Sequence, residues 1–278
     1  MLALLISVAF SVTCIIACIT TNVSTGGTIA AGIAGFFAPH FIIGYFVRKR
    51  TEAVKKELEE LVLDGQKRIN RKVQQFQSKP GGNIKLIQRQ IESDQKEISK
   101  KSLEFIDRFE TFKKWNLLMD RQIATMRLQF LYQLKEFDEV DKLIASGGLF
   151  TGPLMMEPMQ VAMKMARQFK NEDSEGVEKT FNRRLKWFRG SRATLLYGVM
   201  TWVYMKEGKT EEARQLLNKA MESTGNEAFA RNWEQLSNHN VKKFSNAGLG
   251  EEWFALYLEN PPMPKQQRMR GNAQGRRF

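Results

Sequence analysis

Charged side chains are missing from the start of this sequence. Residues 1–47 contain no Asp, Glu, Lys or Arg, and the first charge is Arg48. The whole chain of 278 residues has only two cysteines, Cys14 and Cys18, both inside the uncharged stretch. The body that follows therefore carries neither a disulfide nor a thiolate zinc site. Few prolines, no Asn-Gly turn and little β-branched alternation argue against a β-sheet protein, and abundant helix formers predict an all-α fold.

Two long apolar runs make up the uncharged stretch. The polar residues 20–26 separate residues 2–19 from residues 27–47. At about 1.5 Å per helical residue the runs extend roughly 27 and 31 Å, close to the ~30 Å hydrocarbon thickness of a bilayer. A helix in lipid satisfies its backbone hydrogen bonds within its own segment. Residues 1–47 are therefore predicted to form a transmembrane helical hairpin.

Two other interpretations of the N-terminus compete with the hairpin, and a third assigns the hairpin to a secreted protein. A cleaved secretory signal requires a positive segment before the apolar run, and only the α-amino group of Met1 supplies charge there. Residues 15–18 resemble a bacterial lipoprotein cleavage box, which would make Cys18 a lipidated N-terminus. A secreted protein that inserts such a hairpin into host vesicles would be expected to place a polar secretion segment before the first helix. The hairpin is favoured because it needs none of these features.

The charges that flank the hairpin predict its orientation. Five basic residues follow the second apolar run: Arg48, Lys49, Arg50, Lys55 and Lys56. The loop at residues 20–26 is uncharged, so the positive-inside rule places the body in the cytoplasm and the loop outside. The basic residues are predicted to contact anionic lipid headgroups. The layout looks like that of bacterial inner-membrane assembly factors, which is an architectural analogy.

The unusual residues inside the hairpin are given structural roles. Cys14 and Cys18 lie one helical turn apart, and without a third ligand they are interpreted as small apolar side chains and not as a metal or redox pair. His40 lies at membrane depth, where an ionisable residue often has a function. Pro39 frees a carbonyl that could accept its proton, so a structural role is favoured. Small residues near Gly35 are expected to support helix packing or self-association.

Residues 48–114 are predicted to form a juxtamembrane helical stalk. Residues 51–78 and 83–112 form two helical patterns, and the break at 78–82 contains a proline and two glycines. The second pattern has a narrow isoleucine seam: Ile84, Ile87, Ile91 and Ile98. That seam indicates an antiparallel helical hairpin or, alternatively, a coiled coil with a partner chain.

A loose internal repeat occupies residues 115–260. The equivalent positions Val140, Val177 and Ala213 lie 37 and 36 residues apart. A period of this length is typical of stacked helical hairpins. In the second copy, residues 154–187, the turn between the helices is expected to be one residue short.

The third copy resembles a tetratricopeptide repeat. Tyr204 stands at the tyrosine position of the first helix, Gly208 at the turn, and Ala213 at the small close-contact position of the second helix. Leu217 and Ala220 occupy the apolar face that follows. The resemblance implies a helical solenoid that has no catalytic residues of its own and docks a protein or peptide in a concave groove.

The net charge of +13 is uneven. Residues 48–115 hold 18 basic and 11 acidic side chains, residues 116–260 hold 20 and 19, and residues 261–278 hold five and none. The excess therefore lies next to the apolar runs and in a basic tail that is predicted to be disordered. This distribution favours a lipid surface over a repeat domain devoted to nucleic acid.

Two local features keep RNA as an alternative partner. One is a basic-aromatic patch, which base-stacking sites also combine: Arg183, Arg184, Lys186, Trp187, Arg189 and Arg192. The other is the tail, which resembles arginine-glycine RNA-binding tails through Arg268, Arg270, Arg276 and Arg277. The competing interpretation of the patch is a solvated helix face with both aromatic side chains, Trp187 and Phe188, turned inward.

No pattern in the sequence indicates an enzyme. The glycine-rich residues 147–152 lack the Gly-Lys-Ser/Thr ending that binds phosphate, and no catalytic, cofactor or metal site is predicted. The expected function is that of a membrane-anchored scaffold, which recruits a protein partner and could also self-associate. The alternative function is a membrane tether for RNA or ribosomes.

Overall fold

The computed structural model describes residues 2–77, 84–148 and 152–261. All regular structure in these ranges is helical, which confirms the predicted all-α class. The chain divides into two compact units, Met1–Gln160 and Val161–Phe278. The helices are α1 (Leu2–Thr20), α2 (Thr25–Gln77), α3 (Ile84–Ile106), α4 (Met119–Leu134), α5 (Phe137–Ala145), α6 (Pro158–Lys170), α7 (Ser174–Leu185), α8 (Thr194–Lys206), α9 (Thr210–Thr224), α10 (Glu227–Ser237) and α11 (Glu251–Phe254).

Small residues let α1 and the first half of α2 pack closely. A Cβ atom added at Gly32 would lie 2.9 Å from the Ile15 side chain, and one at Gly35 would lie 3.0 Å from Cys14 Sγ. The Ser11 hydroxyl also donates to the Gly32 carbonyl oxygen over 2.7 Å. The larger apolar side chains face outward, including Leu5, Ile16, Ile19, Ile29, Ile33, Phe41 and Phe46. Glycine therefore serves packing within the hairpin.

α2 runs without a break from the second apolar run into the first stalk helix. It contains Pro39, which supplies no backbone N–H for the helical ladder. The neighbouring His40 ring stacks on Phe36, with ring centroids 5.9 Å apart. His40 Nδ1 is buried and has no hydrogen-bond partner in the part of the chain that the structure describes. The carbonyl freed by Pro39 is therefore not bonded to Nδ1.

The C-terminal half of α2 lies antiparallel to α3. Lys72 Nζ lies 2.6 Å from the Asp94 carboxylate, and the Arg108 guanidinium, just beyond α3, lies 2.7 Å from that of Glu57. Between these two pairs the residue number rises along α2 and falls along the α3 segment. The two helices are therefore antiparallel, as predicted. The predicted break at 78–82 lies outside the described residues, and pairing with a second chain stays a prediction.

A buried core joins α2 to the segment that follows α3. Its apolar members are Leu58, Ile106, Phe109, Met119, Ile123 and Phe130. The helix predicted for 83–112 ends as an α-helix at Ile106 and continues as a 3-10 helix, Asp107–Phe112. Lys113 then lies 2.5 Å from Glu110 and 2.9 Å from Asp120. The hydrogen bond to Glu110, followed by the one to Asp120, raises the pKa of Lys113.

Three helix pairs, α4–α5, α6–α7 and α8–α9, share one turn geometry. The turn residues Lys135, Glu172 and Gly208 have positive φ angles of 64°, 61° and 75°. In each pair the next N–H donates to the carbonyl five residues earlier, over 3.0, 2.9 and 2.9 Å. This is the 6→1 hydrogen bond of a Schellman motif, which ends one helix and allows the chain to reverse.

Because the three turns have the same geometry, the equivalent anchor residues occupy the same position relative to the turn. Val140, Val177 and Ala213 each lie five residues after the positive-φ residue, and each is fully buried. The expectation that the second turn is one residue short is therefore wrong. Glutamate at the left-handed position hides that turn, because glycine is the residue that normally marks it. Gly176 lies in the first turn of α7, where its N–H donates to Asp173.

α8 is the central helix of the second unit. Residues 195–203 are all buried. The Tyr197 ring packs edge-on to Phe181 of α7 at 5.6 Å, and the Trp202 ring packs edge-on to Phe169 of α6 at 4.9 Å. These contacts build a core with an aromatic centre.

The chain after α10 closes this core through polar contacts. The Glu259 carboxylate accepts hydrogen bonds from two indole N–H groups, Trp202 Nε1 at 3.0 Å and Trp253 Nε1 at 2.8 Å. The buried Asn246 amide donates to the Gly198 carbonyl over 2.8 Å. The C-terminal segment up to Glu259 is thus bonded directly to α8.

Candidate functional sites

The five basic residues predicted to face a membrane surface lie in α2 just after the second apolar run ends at Val47, and all five are exposed. Arg48 Nε lies 2.8 Å from the Glu52 carboxylate, and this hydrogen bond raises the pKa of Arg48. Lys55 and Lys56 lie 3.7 and 4.0 Å from carboxylates one turn onward. Exposed ion pairs of this kind contribute little to stability. The cations can therefore exchange these partners for other anions.

A cavity of about 630 Å³ adjoins these charges within the first unit. We call it the boundary cavity. Its walls come from the start of α1, residues 40–55 of α2, and the connection before α4, which includes Trp115. The Leu2 N–H donates to the Lys114 carbonyl oxygen over 2.8 Å and holds the start of α1 against that connection. Along α2 the lining changes from apolar to charged between Val47 and Arg48.

The basic-aromatic patch begins in the last turn of α7 and continues to the start of α8. Trp187 is 69% exposed, whereas Phe188 is buried. The interpretation in which both aromatic side chains turn inward is therefore wrong for Trp187 and correct for Phe188. The difference arises because α7 ends at Leu185 and the residues after it no longer share one helix face. Arg192 lies over the Phe188 ring, 5.5 Å from its centroid.

Lys164 of α6 belongs to the same electropositive region. Burial lowers the pKa of its ammonium group, and the nearby charges of Arg183 and Arg184 lower it further. Lysine is easily shifted in this direction because a compact ammonium group loses hydration when it is buried. No local signal in the sequence marks Lys164, since only the packing of α6 against α7 brings it to the patch.

The remaining predicted residues belong to two sets, the cations of the patch and the arginines of the tail. Arg183, Lys186 and Arg189 are exposed, and none of their side chains has a hydrogen bond or ion pair within the described residues. The tail arginines Arg268, Arg270, Arg276 and Arg277 lie outside the described residues. The patch therefore keeps cationic groups that can bind an anion, next to an exposed indole that can stack on a planar group.

No group of three His, Cys, Asp or Glu side chains is placed to hold a metal ion within residues 2–77, 84–148 and 152–261. Comparisons with protein-family models, curated proteins and solved structures find no match. The fold defines a broad class: an all-α protein with two N-terminal helices that are long and apolar enough, by length and composition, to cross a membrane.

Proposed function

We propose that this protein is a membrane-anchored scaffold that holds a protein or peptide partner at the membrane through its helix pairs. The observation that carries the proposal is the outward direction of the apolar side chains on α1 and the first half of α2. Up to Val47 neither helix carries a charged side chain. Leu5 and Phe41 are 61% and 69% exposed.

Lipid explains this exposure better than water does. Soluble proteins rarely expose contiguous apolar patches larger than a few hundred Å², and a core helix of a soluble protein would be covered by its neighbours. In this hairpin the small residues face inward and the large apolar residues face outward. That arrangement suits two helices surrounded by hydrocarbon, where small residues allow close packing.

The distribution of charge sets the proposed orientation. Both ends of the hairpin lie on the side where Arg48, Lys49 and Arg50 emerge, and the uncharged connection at residues 21–24 lies on the other. By the positive-inside rule the body is cytoplasmic. The bacterial inner membrane is the location that this layout favours, by architectural analogy.

The helix pairs support the scaffold part of the proposal. Each pair ends its first helix with the same hydrogen bond and buries the same anchor position, as repeat proteins do. The resemblance of residues 204–220 to a tetratricopeptide repeat points to binding of a protein or peptide without chemistry. Self-association through the stalk or the hairpin is part of the same proposal.

A second function, tethering RNA or ribosomes, is favoured by the exposure of Trp187. A helix face that contacts only water does not explain why an indole is 69% exposed among Arg183, Lys186 and Arg189. Bases stack on such side chains, and cations bind the phosphates between them. An acidic protein partner would use the same patch through its carboxylates.

Two linked experiments test these functions. Membranes from cells that express the full chain are washed with alkaline carbonate, and the protein should stay in the pellet; release into the supernatant would contradict the anchor. The solubilised protein is then used for affinity capture with and without nuclease, in wild type, Trp187→Ala and, as a control elsewhere in the second unit, Arg231→Gln. Partners that survive nuclease support the scaffold, and partners lost with nuclease and with Trp187→Ala support the RNA tether.

A further inference from the structure

The boundary cavity has one apolar end and one charged end. Leu4, Ile43 and Val47 line the first, and the second is lined by Arg48 and Lys55 with the carboxylate of Glu52 between them along α2. Its volume of about 630 Å³ falls within the roughly 300–1,000 Å³ range of small-molecule sites. A ligand that matches both ends must itself be amphiphilic.

The length of the cavity fits the same kind of ligand. Its lining runs from His40 to Lys55 along α2, which is roughly 22 Å at 1.5 Å per residue. A purely apolar ligand would make no contact with the charges of Arg48 and Lys55 at the outer end, which would keep only their exposed partners Glu52 and Glu59. A small soluble anion would leave the surface near Ile43 uncovered. A phospholipid, with acyl chains below a phosphate, covers both.

Neighbouring side chains place the outer end at the level of the lipid headgroups. The hydrogen bond between the Leu2 N–H and the Lys114 carbonyl holds the connection before α4 at the end of α1. Trp115 lines the cavity there, and Leu117 and Leu118 beside it are 48% and 43% exposed. Tryptophan is enriched at membrane–water interfaces, because its ring is apolar and its N–H is polar. Exposed leucines next to it fit the same interface.

The two cations retain donors for a phosphate. Arg48 uses its Nε toward Glu52, and a guanidinium has five N–H donors in all. Lys55 lies 3.7 Å from Glu59, beyond hydrogen-bond distance. We propose that the boundary cavity binds an anionic glycerophospholipid, with its acyl chains against Ile43 and Val47 and its phosphate at Arg48 and Lys55. This inference rests on the proposed membrane anchor.

Two substitutions with matched controls test the site. Gly44 lines the cavity, and an added Cβ would meet no atom within 4 Å, so Gly44→Leu fills open space. Gly26→Leu is its control, because Gly26 is equally open at the start of α2 and is not in the lining. Lys55→Gln removes a cation of the site. Lys56→Gln is its control and removes the neighbouring exposed lysine, which is not in the lining.

The measurement is lipid retention by the full chain in mild detergent, followed by native mass spectrometry. The protein is titrated with phosphatidylglycerol and, separately, with phosphatidylcholine. Wild type and both controls should prefer phosphatidylglycerol. Gly44→Leu should weaken binding of both lipids about tenfold, and Lys55→Gln should weaken binding of phosphatidylglycerol alone by about the same factor, as expected for the loss of one charged hydrogen bond.

Other results would overturn the lipid site or the membrane anchor. Equal phosphatidylglycerol binding by wild type, Gly44→Leu and Lys55→Gln would overturn the site. Displacement of the lipid by inorganic phosphate or glycerol phosphate at similar concentrations would assign the cations to a soluble phosphate instead. Carbonate washing of membranes that contain the same variants separates the two proposals. Resistance without lipid preference overturns only the lipid site, whereas extraction of wild type overturns the anchor.

Discussion

The paired indole hydrogen bonds at Glu259 make a sharp prediction about the stability of the second unit. Trp202 and Trp253 are 4% and 0% exposed, and their N–H groups donate to different oxygens of one carboxylate at 3.0 and 2.8 Å. Glu259→Gln keeps the shape of the side chain but leaves one oxygen to accept and turns an NH₂ group toward the other indole. One buried N–H then loses its acceptor, at a cost of about 1–3 kcal/mol, and the other loses a charged acceptor. The expected loss in the free energy of unfolding is about 2–3 kcal/mol.

Urea denaturation of the full chain, followed by tryptophan fluorescence, measures this loss, because two of the five tryptophans belong to the contact. Glu252→Gln is the matched control, since Glu252 is an exposed glutamate only seven residues away. Its midpoint should equal that of wild type. A loss below about 0.5 kcal/mol for Glu259→Gln would refute the reasoning, because it would mean that water satisfies both indoles once the carboxylate is gone.

Three further predictions follow from other contacts. Asn246→Ala removes the donor to the Gly198 carbonyl and should lower the free energy of unfolding by about 1–3 kcal/mol, measured by urea denaturation; a neutral result would contradict the buried contact. A Cβ at Gly65 would lie 2.5 Å from Ile98, so stability should fall in the order Gly65, Gly65→Ala, Gly65→Val in thermal unfolding, and a rise would show that α3 moves freely. Lys164→Met should unfold at a higher temperature than wild type at neutral pH, with an advantage that shrinks as pH rises.

The pH dependence for Lys164 follows from the direction of its pKa. Burial lowers that pKa below the ordinary 10.5, so the unfolded chain binds this proton more tightly than the folded one. Wild-type stability therefore rises with pH between the lowered pKa and 10.5, where the folded chain has already lost the proton. Thermal unfolding of wild type and Lys164→Met across this window measures the effect. A constant difference between them would show that the ammonium group is not penalised by burial.

The helical class and the apolar hairpin could be predicted from the sequence because both depend on local patterns. An uncharged stretch and a helical period are visible in consecutive residues. The antiparallel pairing of α2 with α3 was also predictable, since the break at 78–82 separates two apolar seams. The continuity of α2 through Val47 was not, because a change from apolar to charged residues does not itself end a helix.

Two of the turns and parts of the candidate sites could not be predicted from sequence patterns. Gly208 was recognisable as a turn, but Lys135 and Glu172 adopt the same left-handed conformation without glycine, so tertiary packing decides them. Lys164 joins the basic-aromatic patch, and Glu259 accepts from two distant indoles, only after the helices have packed. The direction of Trp187 depended on where α7 ends, and helix ends are poorly marked by composition.

Cysteine accessibility tests the central claim, a membrane hairpin with the body on one side, most directly. The native cysteines are replaced by Cys14→Ala and Cys18→Ala, and Asn22→Cys or Lys219→Cys is added to that background. Spheroplasts are then treated with a membrane-impermeant maleimide before and after lysis. The hairpin predicts labelling of Asn22→Cys in intact spheroplasts and of Lys219→Cys only after lysis. Equal labelling of both before lysis, or of neither until lysis, would contradict it.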